Sequence, residues 1–168
     1  GINPAARTTC VKPSGNASVL LQTASGIHAE HSTMYIRNVQ MTKDSEVTQA
    51  IQKANPYMVE DSVWSATNSD VVVSFPIIPK KGSYVKEDLI GVDHLAKVKL
   101  VQQHWVNAGT NIELCADKGV RHNVSNTILV DDWHEVEQYV YKNRHSFAGI
   151  SFLSMTGDKD FNQAPNTS

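Results

Sequence analysis

Several things are scarce in this sequence, and each scarcity removes a class of answer. There are two cysteines, Cys10 and Cys115. Neither stands at metal-ligand spacing from the other or from a histidine, so neither a zinc site nor a disulfide framework is expected. Two reduced thiols fit best, with a single disulfide left open. No apolar run approaches the length of a membrane span. The opening residues, Gly1-Ile2-Asn3-Pro4-Ala5, carry neither the basic nor the apolar region of a signal peptide. An initiator methionine is missing too, which fits a fragment or a processed chain. A cytoplasmic protein with no membrane partner is the expectation, and the Asn-x-Ser/Thr triplets at Asn16, Asn123 and Asn166 are read as chance. Charge of one sign is also lacking: the net charge is −2, which points away from direct nucleic-acid binding. Internal repeats, low-complexity tracts and linkers are absent from the sequence.

What is present is ordinary in bulk. The chain has 168 residues, 40% of them hydrophobic and 19% charged, enough for one domain with a core of its own. Strand-like and helix-like stretches alternate throughout. Thr8–Val11 is short and β-branched. Asn16–Ala24 reads as a helix start, with Gly26 as its C′ residue. Met34–Met41 reads as a strand. Asp44 or Ser45 caps a helix to about Ala54, with Val47, Ala50, Ile51 and Ala54 on one face, and Asn55-Pro56 stops it. Asp70–Ile78 is a β-branched run of the kind buried on both faces of a sheet, with Pro76 marking an edge, a bulge or an end. A long helix is expected over 86–107, with Leu95, Val98, Val101, Trp105 and Ala108 inward, His94 and His104 on flanking or wet faces, and Gly109 as terminator. Further strands are expected over 111–115, 123–130 and 147–153. A helix opens at Asp131-Asp132 with Glu135 in capping-box position and Trp133, Val136 and Val140 buried. The tail, 154–168, is polar and expected to be irregular. Such alternation predicts an α/β fold built from βαβ units.

The stretch that organises the chain is Thr8-Thr9-Cys10-Val11-Lys12-Pro13-Ser14-Gly15-Asn16-Ala17-Ser18. A strand ends at Pro13-Ser14-Gly15 and a helix begins. The first N–H groups of a helix have no intrahelical acceptor, and with the positive end of the dipole they can seat an anion. Gly15, without a Cβ, permits close backbone approach. Ser14, Asn16 and Ser18 can add side-chain hydrogen bonds. The same residues also suit an ordinary strand–turn–helix junction in which Ser and Asn merely cap the helix. Local chemistry alone favours that plainer reading, and the Gly-Lys-Ser/Thr ending of a Walker loop is missing. His28-Ala29-Glu30-His31 could suggest a metal, but the helical His-Glu-x-x-His spacing is absent, and polar loop histidines are the better reading. Trp105 and Trp133, at helical spacing, are read as core residues.

Taken together, these residues resemble a family. Thr8 to Ser18, followed by Ala24-Ser25-Gly26-Ile27-His28, is similar to the phosphate loop and following turn of ribonucleotide reductases, and the adenosylcobalamin-dependent (class II) enzymes match best. Leu95-Ala96-Lys97-Val98-Lys99-Leu100-Val101-Gln102-Gln103-His104-Trp105-Val106-Asn107 is similar to a late helix of that class. Ser151-Phe152-Leu153 and Gln163-Ala164-Pro165 resemble its closing strand and exit.

The resemblance implies reduction of the ribonucleotide 2′-hydroxyl. Adenosylcobalamin generates a cysteine thiyl radical, two further thiols supply electrons, and a Glu and an Asn manage protons. It implies a ten-stranded α/β barrel in two halves, of which this chain would be the C-terminal part. It also implies that the phosphates of a ribonucleoside di- or triphosphate sit on Ser14, Gly15, Asn16, Ala17 and Ser18, which reverses the local preference and favours the phosphate loop. The role of these residues would be positional, holding the ribose against the radical cysteine.

The family's radical loop, Asn-Pro-Cys-Gly-Glu, does not occur here; Asn3-Pro4-Ala5-Ala6 shares two letters only. Cys10 and Cys115 lie in no matching motif, so no catalytic residue is assigned, and both are expected to be small buried hydrophobes. The isolated chain is expected to be inactive, to need the remaining N-terminal part of the reductase, and to self-associate through an exposed barrel edge. The competing readings are a non-catalytic nucleotide- or phosphate-binding α/β module, and an inert α/β domain.

Overall fold

The computed structural model describes residues 1–14 and 16–155, with Asn16 placed by its backbone alone. Gly15, and the tail from 156 with its Gln163-Ala164-Pro165, lie outside the described residues. The described residues divide into two compact units, one formed by residues 1–30 and 80–155, the other by residues 31–79.

In the first unit, helix α1 (Asn16–Leu20) is shorter than expected. Gln22, at φ 52°, takes the left-handed position that ends it. The Gln22 amide donates to Val19 O at 3.1 Å and the Thr23 amide to Ser18 O at 3.0 Å, the paired bonds of a Schellman ending. The glycine expected in that role, Gly26, lies further on and does something else. The expected strand at Thr8–Val11 is an extended segment with single bridges, Arg7 to Thr110 and Val11 to Val124, rather than a ladder.

Helix α3 (Gly91–Val101) follows a 3-10 turn at Lys86–Asp88 and continues as a π-helical turn, Gln102–Val106. The buried stripe is Leu95, Val98, Gln102 and Val106, at the steps of three and four that one helix face allows, with Val101 packed partly buried beside it; the expectation that Trp105 points inward took the neighbouring stripe. The π turn itself is marked by the Asn107 amide donating to Gln102 O at 2.9 Å. Trp105 is left 55% exposed. His94, expected on a wet face, is buried next to Leu95.

The expected strand at 111–115 is a 3-10 turn, Ile112–Leu114, started by Asn111. Strand β4 (Ile128–Val130), helix α4 (Trp133–Asn143) and strand β5 (Phe152–Ser154) form one βαβ unit in which β4 and β5 pair in parallel. Both strands are shorter than their apolar runs suggested. In α4, Val136 is buried, while Trp133 is 53% exposed and meets Phe152 edge-on. The unit's core is Leu95, Val98, Val106, Val124, Ile128, Val130 and Val136. Cys115 is buried as expected; Cys10 is exposed, because its segment runs along the surface; both thiols are free.

The second unit is an antiparallel sheet in the order β1 (Tyr35–Thr42), β3 (Asp70–Ile77), β2 (Val59–Asp61). β3 is central and carries the buried Val71, Val72 and Val73, so its β-branched run marks a middle strand, not a parallel one. Pro76 is tolerated because β2 spans only Val71 to Val73, leaving β3 an edge on that side at Pro76. Ser45 caps α2 (Glu46–Ala54), accepting the Thr48 amide at 3.1 Å. The packed residue of α2 is Thr48, beside the cap, whereas Val47, Ala50 and Ala54 of the expected apolar face lie exposed.

The α/β class expected from the sequence is present. Among the described residues the sheets have three and two strands, so a ten-stranded barrel is not seen. No described helix is long and apolar enough to cross a membrane.

Candidate functional site

The N-terminal segment is fixed by the end of the α3–π helix. Orphan carbonyls there need donors, and two threonines supply them. The Thr9 hydroxyl donates to Trp105 O at 2.8 Å, and the Thr8 hydroxyl and amide both donate to Gly109 O, at 3.0 and 2.9 Å. The Trp105 indole returns a bond to Cys10 O at 3.3 Å. Thr8, Thr9 and Cys10 therefore set the position from which the chain reaches Pro13 and Ser14.

At Ser14 the loop meets the turn over 24–28. The Ser14 amide donates to Ser25 Oγ at 2.7 Å, and that hydroxyl donates back to Ser14 O at 3.0 Å. A single hydroxyl thus satisfies both main-chain groups of Ser14. Gly26, at φ +63°, faces the Lys12 carbonyl so closely that a Cβ would stand 3.2 Å from its oxygen. This close approach, not helix termination, is the use of that glycine. The Ser14 hydroxyl accepts the Ser18 amide at 3.2 Å, and the Ser18 hydroxyl donates to Ser14 O.

Two histidines hold the turn from behind. His28 Nδ1 lies 3.0 Å from Ser25 O, and His94 Nε2 lies 2.8 Å from Ile27 O. A carbonyl only accepts, so each ring nitrogen facing one carries its proton. The rings meet edge to face with centroids 6.4 Å apart. Burial holds the His94 pKa below its ordinary value of 6.5, against the Ile27 carbonyl, which favours the charged form; nearby His28 and Lys97 add to the lowering. His94 is therefore a neutral donor at neutral pH. The Ile27 side chain packs on the core with Leu95 and Val98, so the turn is anchored through both its main chain and a side chain.

Of the residues singled out in the sequence, Ser14 and Ser18 are brought together and clasp each other. Ala17 is exposed at the start of α1, Asn16 opens the helix, and Gly15 lies outside the described residues. By helix geometry the amides of Asn16 and Ala17 have no intrahelical acceptor, whereas the Ser18 amide is taken by Ser14. Lys80, whose Nζ reaches Leu21 O at 3.5 Å, places a cation at the far end of the same segment. Sequence reasoning missed Ser25 and His94. Ser25 lay inside the resembling turn without an assigned role, and His94 was hidden by its polar letter on an otherwise apolar helix face.

Two hollows open elsewhere on this unit, of about 520 Å³ beside Thr8, Gly109 and Asn111 and about 410 Å³ beside Gln102, Arg121 and His145. Among the described residues no three His, Cys, Asp or Glu side chains converge as metal ligands.

No family model matches the chain. It is 26% identical over 167 residues to an adenosylcobalamin-dependent ribonucleoside-triphosphate reductase of Euglena gracilis, covering 98% of this chain and 21% of that protein. A probable reductase of the same name from Dictyostelium discoideum is 27% identical over 164 residues, with 95% and 19% covered. One from Levilactobacillus brevis is 25% identical over 172 residues, with 98% and 20% covered. The chain thus spans about a fifth of the length of these relatives. The crystal structure of a B12-dependent class II ribonucleotide reductase superposes with a TM-score of 0.68 at 21% identity, over 92% of this chain and 20% of that one, a likeness of fold. The resemblance carried by residues 8–18 and 24–28 therefore extends over nearly the whole chain, which is similar in sequence to one part of proteins named adenosylcobalamin-dependent ribonucleoside-triphosphate reductase.

Proposed function

We propose that this chain is the phosphate-seating portion, from the C-terminal half of the barrel, of an adenosylcobalamin-dependent ribonucleotide reductase. The observation that carries the proposal is the Ser14–Ser25 clasp. It joins the two separate stretches of the resembling motif into one loop, and the amides that follow, from Asn16 and Ala17, have no acceptor within the helix. The ligand is a ribonucleoside triphosphate, as in the names of the relatives. Ser14, Gly15, Asn16, Ala17 and Ser18 form its seat, with Ser14 and Ser18 fixing the loop and the main-chain amides meeting the phosphates. Holding the triphosphate fixes the ribose, so the contribution to catalysis is orientation. Adenosylcobalamin would supply the radical in the whole enzyme, and no residue of this chain is assigned to it.

The β4–β5 pair has no third strand among the described residues. In this reading it belongs to a larger barrel, completed by the remaining part of the reductase or, in the isolated chain, by self-association.

The test is a titration of the isotopically labelled chain with CTP and with inorganic tripolyphosphate, followed by amide NMR. Shifts centred on residues 14–18 that weaken in Gly15→Val are expected, since a branched side chain would obstruct the anion. No shift there at millimolar ligand would overturn the proposal. Incubation of the chain alone with adenosylcobalamin, a dithiol and CTP is expected to give no deoxyribonucleotide, and turnover would overturn the division of labour.

A further inference from the structure

We propose that His94 is a positioning residue for the 14–18 loop: from the core it pins the 24–28 turn through Ile27 O, and the turn in turn holds Ser14 through Ser25. This rests on reading the loop as a phosphate seat, and adds a residue outside the loop on which its affinity depends.

The chain of contacts is short. His94 Nε2 is 2.8 Å from Ile27 O, and two residues back along the turn Ser25 Oγ meets Ser14 N at 2.7 Å and Ser14 O at 3.0 Å. Ser14 Oγ then accepts the Ser18 amide at 3.2 Å. Apart from the two residues of main chain between Ile27 and Ser25, every link is a directed hydrogen bond, so a displacement of the turn is transmitted to Ser14 and Ser18. His94 is the link that starts in the core. It is 3% exposed, lies beside the fully buried Leu95, and belongs to the rigid α3. A hydrophobic residue would fill that space equally well but could not take the Ile27 carbonyl. A histidine there costs desolvation and brings direction. His28, itself holding Ser25 O, and Lys97 are the charged or titratable groups that act on it. Burial first, and then both of these groups, disfavours its protonation, which keeps the ring in the neutral form that donates from Nε2.

The first test needs no variant. Nitrogen-15 spectra of the imidazole should show His94 as the neutral Nε2–H tautomer at pH 7, with a slowly exchanging ring proton; the Nδ1–H tautomer would overturn the assignment. The second compares His94→Leu with His94→Gln, which keeps a donor. Without ligand, His94→Leu should lose exchange protection at the Ser14 and Ser18 amides, and His94→Gln should restore part of it; unchanged protection in His94→Leu would sink the proposal. With inorganic tripolyphosphate, His94→Leu should bind roughly three- to tenfold more weakly than wild type, the worth of one internal hydrogen bond, with recovery in His94→Gln. Should wild type bind no tripolyphosphate, the phosphate-seat reading fails, while the exchange data still decide whether His94 positions the loop. Should His94→Leu not fold, the tautomer in wild type and the protection in His94→Gln decide it: near-wild-type protection supports, loss despite the retained donor overturns.

Discussion

Thr9 stands directly against Gly109: its hydroxyl donates to Trp105 O at 2.8 Å, and a Cβ built on Gly109 would overlap the Thr9 side chain. The end of the long helix and the start of the loop segment are thus packed at backbone distance. Gly109→Ala should cost about 1–3 kcal/mol, the usual cost of overpacking, as a lowered urea midpoint. Gly149→Ala is the control. A Cβ there meets only ordinary contacts, the nearest at 3.6 Å to Asn123, and the change should be close to neutral. Equal effects of the two would remove the close-approach argument.

The buried stripe of the long helix makes a second prediction. Val106 is fully buried and Leu100 is 57% exposed. Val106→Ala should destabilise by about 2 kcal/mol through the lost methyls and the cavity left behind. Leu100→Ala, the larger truncation, should stay within about 0.5 kcal/mol. The reverse order in denaturation midpoints would mean that Val106 is not part of the core.

Helix α4 starts on Asp132, whose carboxylate accepts the amides of His134 and Glu135 at 2.9 and 3.1 Å. Asp132→Ala should cost about 1 kcal/mol and Asp132→Asn much less, since the amide oxygen can still cap. A thermal melt of both variants reads the difference; equal losses would point to charge instead of the cap.

His94 sets a pH dependence. Its pKa is lowered in the folded chain relative to 6.5, first by burial. Between the two values the unfolded chain binds the extra proton, so stability rises with pH across that window. The contribution is complete above pH 6.5 and is lost as the pH falls toward the folded value. In urea titrations at a series of pH values, wild type should lose stability relative to His94→Gln as the pH drops below that point. Parallel curves would contradict a buried neutral imidazole.

Local chemistry was legible where it is local. The caps at Ser45 and Asp132, the stop at Asn55-Pro56, the strand around Val71–Val73 and the resembling stretches at 8–18 and 24–28 all depend on residues a few positions apart. Their letters carry the answer because neighbouring main-chain groups need partners at once. The sequence by itself therefore determined an α/β chain, its principal helices and the resemblance of its loop. Tertiary structure decided what depends on residues far apart. Whether the run at 70–77 pairs parallel or antiparallel depends on β1 and β2. Whether Trp105 or Val106 points inward depends on which of two adjacent stripes of the helix meets the core residues Val124 and Ile128. His94 is buried because the turn at 24–28 brings a carbonyl to it, and Ser25 matters because Ser14, distant in sequence, lies beside it. Hydrogen bonds and packing act between whatever the fold brings within about 3–4 Å, and sequence spacing reports that distance only along a single element.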